Sequence, residues 1–505
     1  MAAGALLGRP APSAQAAAPT ACQASEWQSF DQAVQAALPT FDMVGAGVAV
    51  VTADGTLHSQ TFGLRDRDSG APVTPATLFR IGSATKSMTA LLVATFVDDG
   101  TLGWDQPVVE VWPAFQAPMA ELTRTLRVRD LMGMATGLGE PGPVGLHYDY
   151  PSALEAMHAM AYLPVLTPPH TEWYYNNAVY IVAGYLPLLR QGVAASELQS
   201  TYARLMQERV FGPVGMGTAR LGDDPRPFTD DYATGYARDF VAGTAAEPWV
   251  PIGSFAPGGA VLATLPDMAA HVRLQLRRGV APTGTRVVSA RNLEECWQAH
   301  IAVPIGPLGG PDLESGGYAM GWLDYRYTNG RRLIWHTGEW DGFASFIGFF
   351  PDDNLGLVIL MNMSVSSAMY FYRYVLNLLL EQQFGLNRGA NDTIVAAYQE
   401  AAGALSALAA QARPVEAGAI APFLGSYDHG YRLAYDAAGT LRLQVGGRAV
   451  RVLALPDGGY VAASGGTLVG TPIQLVRDEL GTPVIELVAP VAEDSETVRW
   501  LMGPG

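Results

Sequence analysis

A chain of 505 residues with 49% apolar and 15% charged side chains has material for a large core and length for two domains or more, which excludes a disordered protein. Its formal net charge of −16 argues against nucleic acid and anionic membrane surfaces as partners, since both need a basic face. Cys22 and Cys296 form no disulfide framework or zinc spacing, H-E-x-x-H is absent and the eight histidines are scattered, so no metal or cofactor is expected.

Residues 1–24 are rich in Ala and Pro, and Ser13-Ala14-Gln15-Ala16 resembles the small-residue end of a secretory signal. The expectation is a flexible leader or signal remnant on an exported protein, periplasmic or extracellular; the alternative is a plain tail on a cytoplasmic one. No run of eighteen apolar residues occurs, so no integral membrane segment is expected. Residues 25–38 read as a helix with Trp27, Phe30, Val34 and Leu38 on one face and a Ser25/Gln28 capping box. Residues 48–51 and 57–62 read as a hairpin around Asp54-Gly55.

The next segment carries the chemistry. It runs Phe79-Arg80-Ile81-Gly82-Ser83-Ala84-Thr85-Lys86-Ser87-Met88, and Met88, Leu91, Leu92, Thr95 and Phe96 continue it at helical spacing until Asp98-Asp99-Gly100. Val93 and Val97 make the helix apolar on further sides, as a buried central helix requires. Lys86 is the only lysine in the chain; every other base is arginine or histidine. Arginine keeps its proton in a protein, whereas a buried lysine can lose it near neutral pH. Ser83 lies three residues earlier, nearly one turn, on the same face. The pair reads as a nucleophile, Ser83, and its activating base, Lys86, with backbone N–H groups at the helix start able to hold an oxyanion.

With these residues the chain resembles the penicillin-recognising serine enzymes: class C β-lactamases, D-alanyl-D-alanine carboxypeptidases, esterases and D-aminopeptidases. The resemblance covers about residues 30–385, and Ser83–Lys86 matches its first motif. The second motif is Tyr-x-Asn. Both Tyr174 and Tyr175 can start it; relatives place an aromatic five residues on, and Tyr180 selects Tyr175-Asn176-Asn177. Tyr327-Thr328-Asn329 precedes Gly330 and reads as a hairpin turn. The third motif is His336-Thr337-Gly338, the form of esterase and D-aminopeptidase relatives, followed by apolar strands 344–350 and 355–362 joined by Pro351-Asp352-Asp353-Asn354. Leu126-Arg127-Val128-Arg129-Asp130-Leu131-Met132, Thr136-Gly137-Leu138, Phe211-Gly212-Pro213-Val214-Gly215-Met216 and Ala256-Pro257-Gly258-Gly259 match further landmarks, with Met134 where a histidine is common.

The resemblance implies an α+β fold: an antiparallel sheet flanked by helices, one of them 364–384, with a helical subdomain over about 100–300. The β-lactamase/transpeptidase-like catalytic domain spans 25–386. Composition changes near Arg388. Residues 387–415 read as a helical linker, and 416–505 as a small, lipocalin-like C-terminal β-barrel with strands at 431–436, 441–445, 450–455, 473–477 and 484–488 and no catalytic residue.

The implied activity is that of a serine hydrolase cleaving a small ester, amide or peptide-like bond through a Ser83 acyl-enzyme. Lys86 and Tyr175 share the proton work, Asn177 positions, and the N–H groups of Ser83 and Glu339 hold the oxyanion. His336 replaces the lysine of carboxylate-binding members, which implies weak β-lactamase activity. Glu339 is placed to meet a substrate amine, and the loops at 147–150 and 173–174 to shape the pocket. Two readings stand beside this one: a true β-lactamase or D,D-peptidase, and a non-catalytic penicilloyl-binding or sensor module.

Overall fold

The computed structural model describes residues 24–140, 152–306, 309–427, 431–445, 447–479, 481–491 and 496–502. The leader expected over residues 1–24 falls outside these residues save for Ala24, and the 147–150 loop lies wholly outside them.

A nine-stranded antiparallel sheet forms the body, in the order Ala71–Pro72, Thr56–Asp66, Gly45–Val51, Leu355–Met361, Phe343–Phe350, Arg332–Trp340, Leu323–Tyr327, Leu313–Tyr318, Ile301–Ala302. The expected hairpins are present: Val51 pairs with Thr56, and Phe350 pairs with Leu355 across a turn in which Asn354 takes a left-handed φ of 52°. The first and last of these segments meet in the middle, Val48 opposite Ile359. Both are buried along their whole length, because helices cover both faces of the sheet.

On one face lie the first helix, Ala24–Thr40, and the outer helix, Val365–Phe384, packing Phe30, Val34, Phe371 and Leu379 against Val48, Phe346 and Ile359. The first helix begins one residue before Ser25, so Ser25 sits inside it and the expected capping box does not start it. On the other face lie the central helix, Thr85–Asp98, and the helix Leu265–Leu276. Every residue from Thr85 to Phe96 is buried. That helix is enclosed by the sheet, by the helix Asn177–Arg190 and by Trp297 and Trp322, which accounts for apolar residues all round it.

After the outer helix, Gly385 closes the turn at φ 65° and the helix Ala390–Gln411 follows. The C-terminal part is a curled eight-stranded antiparallel meander, the expected barrel as a half-barrel: Gly425–Ser426, Arg432–Tyr435, Leu441–Val445, Arg448–Ala454, Tyr460–Ala462, Pro472–Arg477, Pro483–Val491 and Glu496–Met502 pair in chain order, and its first and last strands are not paired to each other. Three of these strands were not expected; two are only two and three residues long, too short for alternation to register. Among the described residues no single helix is long and apolar enough to cross a membrane.

Candidate active site

Ser83 lies in one 3-10 turn, Gly82–Ala84, leading into the central helix. Two glycines explain its position. Gly82 has φ 51°, and a Cβ there would overlap the backbone of Glu339. A Cβ on Gly338 would overlap the carbonyl of Ile81. The strand Arg332–Trp340, hereafter the site strand, therefore lies directly against the turn that carries Ser83. Ser345, opposite Gly338 in the sheet, donates its hydroxyl to Ile81 O at 2.7 Å and holds the two together.

Lys86 is fully buried. Its ammonium has three hydrogens and three acceptors: Ser83 Oγ at 3.0 Å, Asn177 Oδ1 at 2.6 Å and the Gly258 carbonyl at 3.0 Å. The rings of Tyr175 and Tyr180 lie 4.9 and 5.5 Å from Nζ. Burial pulls the Lys86 pKa down to about 7, against the pull of the Glu140 carboxylate. Ser83 Oγ accepts a second hydrogen bond, from Tyr175 OH at 2.7 Å. Tyr174 turns away, its hydroxyl on Glu172 at 2.6 Å. Removal from water holds the Tyr175 phenol well above its usual value, so it stays protonated. Of the two groups on Ser83 Oγ, only Lys86 can be unprotonated near neutrality.

Asn176 starts the helix Asn177–Arg190, its side chain accepting from Val179 N at 3.0 Å. Its own backbone N–H donates to the sulfur of Met134, the position where relatives often carry histidine. Asn177 bridges: Oδ1 takes the Lys86 hydrogen, while Nδ2 donates to the Glu140 carboxylate at 3.1 and 3.3 Å. Glu140 belongs to none of the sequence motifs; its one signal is its place two residues past the Thr136-Gly137-Leu138 landmark. Burial raises its pKa to about 7, opposed by Asn177 and Lys86. Buried Lys86 and half-buried Glu140 thus form a pair, one amide apart, that titrates together.

The third motif contributes differently from residue to residue. His336 is buried, its Nδ1 2.5 Å from the Thr337 carbonyl and Nε2 3.1 Å from Tyr318 OH. A carbonyl only accepts, so Nδ1 carries the hydrogen and Nε2 accepts from Tyr318. Burial, with Lys86 nearby, lowers its pKa to about 3, and the ring is neutral at any ordinary pH. Thr337 and Glu339 pair with Phe346 and Ala344, both in the core on the outer-helix face. Alternation therefore points their side chains away from the central helix, and Glu339 meets the Ser83 turn through its backbone. The Glu339 carboxyl sits with Asp341 and Arg448, its pKa raised by burial to about 8, and Oε1 has no hydrogen-bond partner.

The geometry has a pH consequence. The Glu140 carboxylate favours the charged form of Lys86. Glu140→Gln is expected to lower the Lys86 pKa and shift the rising limb of the acylation–pH profile to lower pH. An unmoved limb in stopped-flow acylation would separate the two groups.

The Beta-lactamase family model matches residues 30–382. The unguisins hydrolase ungD of Aspergillus violaceofuscus is 28% identical over 359 residues, 67% of this chain and 61% of its own length. Penicillin-binding protein 4 of Amycolatopsis lactamdurans is 28% identical over 352 residues, 68% of this chain and 87% of its own. This chain spans about three fifths of the length of the two unguisins hydrolases it matches. Among solved structures, the octameric penicillin-binding protein homologue from Pyrococcus abyssi superposes with a TM-score of 0.60 at 18% identity, over 94% of this chain and 99% of that one. SurE superposes with a TM-score of 0.58 at 22% identity, over 92% and 98%. At such identities the structures speak for the fold alone.

Proposed function

We propose that this chain, which belongs to the Beta-lactamase family, is a serine hydrolase that cleaves ester or amide bonds through an acyl-enzyme on Ser83. One observation carries the reading: Ser83 Oγ lies between a phenol at 2.7 Å that keeps its proton and a buried amine at 3.0 Å that can lose its own near pH 7. The hydrolase name of the unguisins relatives agrees with it.

In this mechanism neutral Lys86 takes the Ser83 hydroxyl proton as Oγ bonds to the substrate carbonyl carbon. The carbonyl electron pair moves onto oxygen, held by the N–H groups of Ser83 and Glu339. Collapse breaks the bond to the leaving group, which takes a proton through the Tyr175 hydroxyl while Lys86 restores that proton to Tyr175. Water then attacks the ester on Ser83, its proton passing back along the same groups, and the acid leaves.

His336, neutral and turned to Tyr318, offers no fixed positive charge for a substrate carboxylate. Esters and amides are therefore the preferred class over β-lactams. The test is a comparison of kcat/KM for p-nitrophenyl acetate, a D-amino acid p-nitroanilide and a chromogenic cephalosporin. Turnover of the ester or amide above the cephalosporin is expected. Faster cephalosporin turnover would make this a β-lactamase, and labelling without turnover a sensor.

A further inference from the structure

Beside the Ser83 turn the site strand has a paired strand on one side only. Its partner Leu323–Tyr327 ends opposite Trp335, so residues 336–340 keep a paired strand only in Phe343–Phe350, with the Ser83 turn packed against Gly338 and Glu339. The strand then turns through Asp341 and Gly342, both with positive φ, 29° and 81°, before Phe343 pairs back to Trp340. That is a tight two-residue hairpin with a non-glycine residue in the first left-handed position.

The turn is held from two sides: Tyr236 N, on the strand Tyr236–Asp239, donates to Gly342 O at 3.1 Å, and the Asp341 side chain is held by the C-terminal meander. Arg448, at the start of the strand Arg448–Ala454, pairs with Asp341 Oδ1, and both side chains are almost wholly out of solvent, 8% and 2% exposed. The same surface is tied down nearby: Arg451 Nη1 to Asp239 Oδ1 at 2.9 Å, Gly466 N to Glu247 Oε1 at 3.1 Å, and Phe240 N to Ala463 O at 2.9 Å.

We propose that Arg448 is a positioning residue of the site: by gripping Asp341 it fixes the free end of the site strand, and with it the backbone N–H of Glu339 against the Ser83 turn. The proposal rests on the reading of Ser83 as nucleophile. It gives the C-terminal meander a part in the reaction that its sequence did not announce.

The charges around Asp341 supply the reason. Glu339 on the same strand and Glu247 after the strand Gly243–Ala246 lie close by, with Asp239 beyond and engaged by Arg451. Arg80, on the short strand Phe79–Arg80, is the other cation acting on Asp341. Burial raises the pKa of Asp341, Glu339 and Glu247, and Arg448 opposes that rise at all three. Without Arg448, the buried acids must stay protonated or the turn must open to water. Free carboxyls ionise near pH 4, so the cost of the closed turn grows as pH rises above that value.

The experiment uses the full chain with Arg448→Met, Asp341→Asn and the double variant. At pH 5.5 and 8 it measures fluorophosphonate labelling of the peptide holding Ser83 and amide exchange across 336–345. Arg448→Met is expected to label about tenfold to a hundredfold more slowly at pH 8, as a displaced donor does, and to exchange faster across 336–345. The deficit should shrink at pH 5.5, and adding Asp341→Asn should recover much of it. Unchanged exchange, unchanged labelling, or a loss that is equal at both pH values and unrelieved by Asp341→Asn overturns the proposal. Should Arg448→Met not fold, the double variant takes its place; it must fold and label close to the rate of Asp341→Asn, and failure of either overturns the proposal. A label found on another serine overturns the reading of Ser83, while exchange across 336–345 still decides the grip.

Discussion

Ser83→Ala is expected to abolish covalent labelling and to lower turnover by about a millionfold, the scale on which loss of a nucleophile is felt. Trypsin cuts after Arg80 and Lys86, so the fluorophosphonate adduct should appear as a mass increase on the short peptide 81–86, which contains one serine. In the alanine variant that peptide should stay unmodified. The fold should survive. Lys86 keeps two of its three acceptors, Asn177 and Gly258, and Tyr175 loses one hydrogen bond. The stability change is therefore about 1–3 kcal/mol at most, readable as a modest fall in Tm. Retained turnover, or an adduct elsewhere, would refute the acyl-enzyme on Ser83.

Lys86→Arg separates charge from proton transfer. A guanidinium keeps the positive charge but not the ability to release a proton, its pKa staying above about 12. If the charge alone mattered, acylation should persist. Loss of a general base lowers rate by about 10²–10⁴, and a fall of at least about a hundredfold is expected. Geometry adds to the chemistry: all three Lys86 hydrogens are engaged in a fully buried pocket, which leaves the larger planar group poorly accommodated. Lys86→Met is the control, lacking base and charge alike but of suitable length. Equal losses in both variants assign the effect to the missing base. Circular dichroism checks the fold, and wild-type-like acylation by the arginine variant would leave Tyr175 as the only base. The state of Tyr175 argues against that outcome, since removal from water keeps its phenol protonated.

Where a relation is short along the chain, the residues alone decide it. Ser83 and Lys86 are three apart at the start of a helix, so helical geometry puts them on one face whatever surrounds them. A lone lysine among thirty arginines singles out the one side chain of the two types that can release a proton near neutrality once buried. The hairpin at Pro351–Asn354 and the buried helix 85–98 follow from periodicity in the same way. Glycine at 82 and at 338 is equally a local matter once the two segments touch, since no other residue lets them approach so closely.

Relations between distant segments belong to the tertiary structure. It decides that Tyr175 reaches Ser83 while its neighbour Tyr174 turns to Glu172, a difference of one residue that depends on how the helix Asn177–Arg190 is set against the central one. It brings Glu140 to Asn177 and so to Lys86, across a stretch whose local pattern carries no sign of an acid at the site. It turns the side chain of Glu339 away from the central helix, because strand alternation counted from Gly338 allows nothing else. It also carries Arg448 across more than a hundred residues to Asp341. Pattern in a sequence reports what a residue does to its own helix or strand. The balance of burial against charge that sets Lys86, Glu140 and Asp341 arises only when separate segments close over the same small volume.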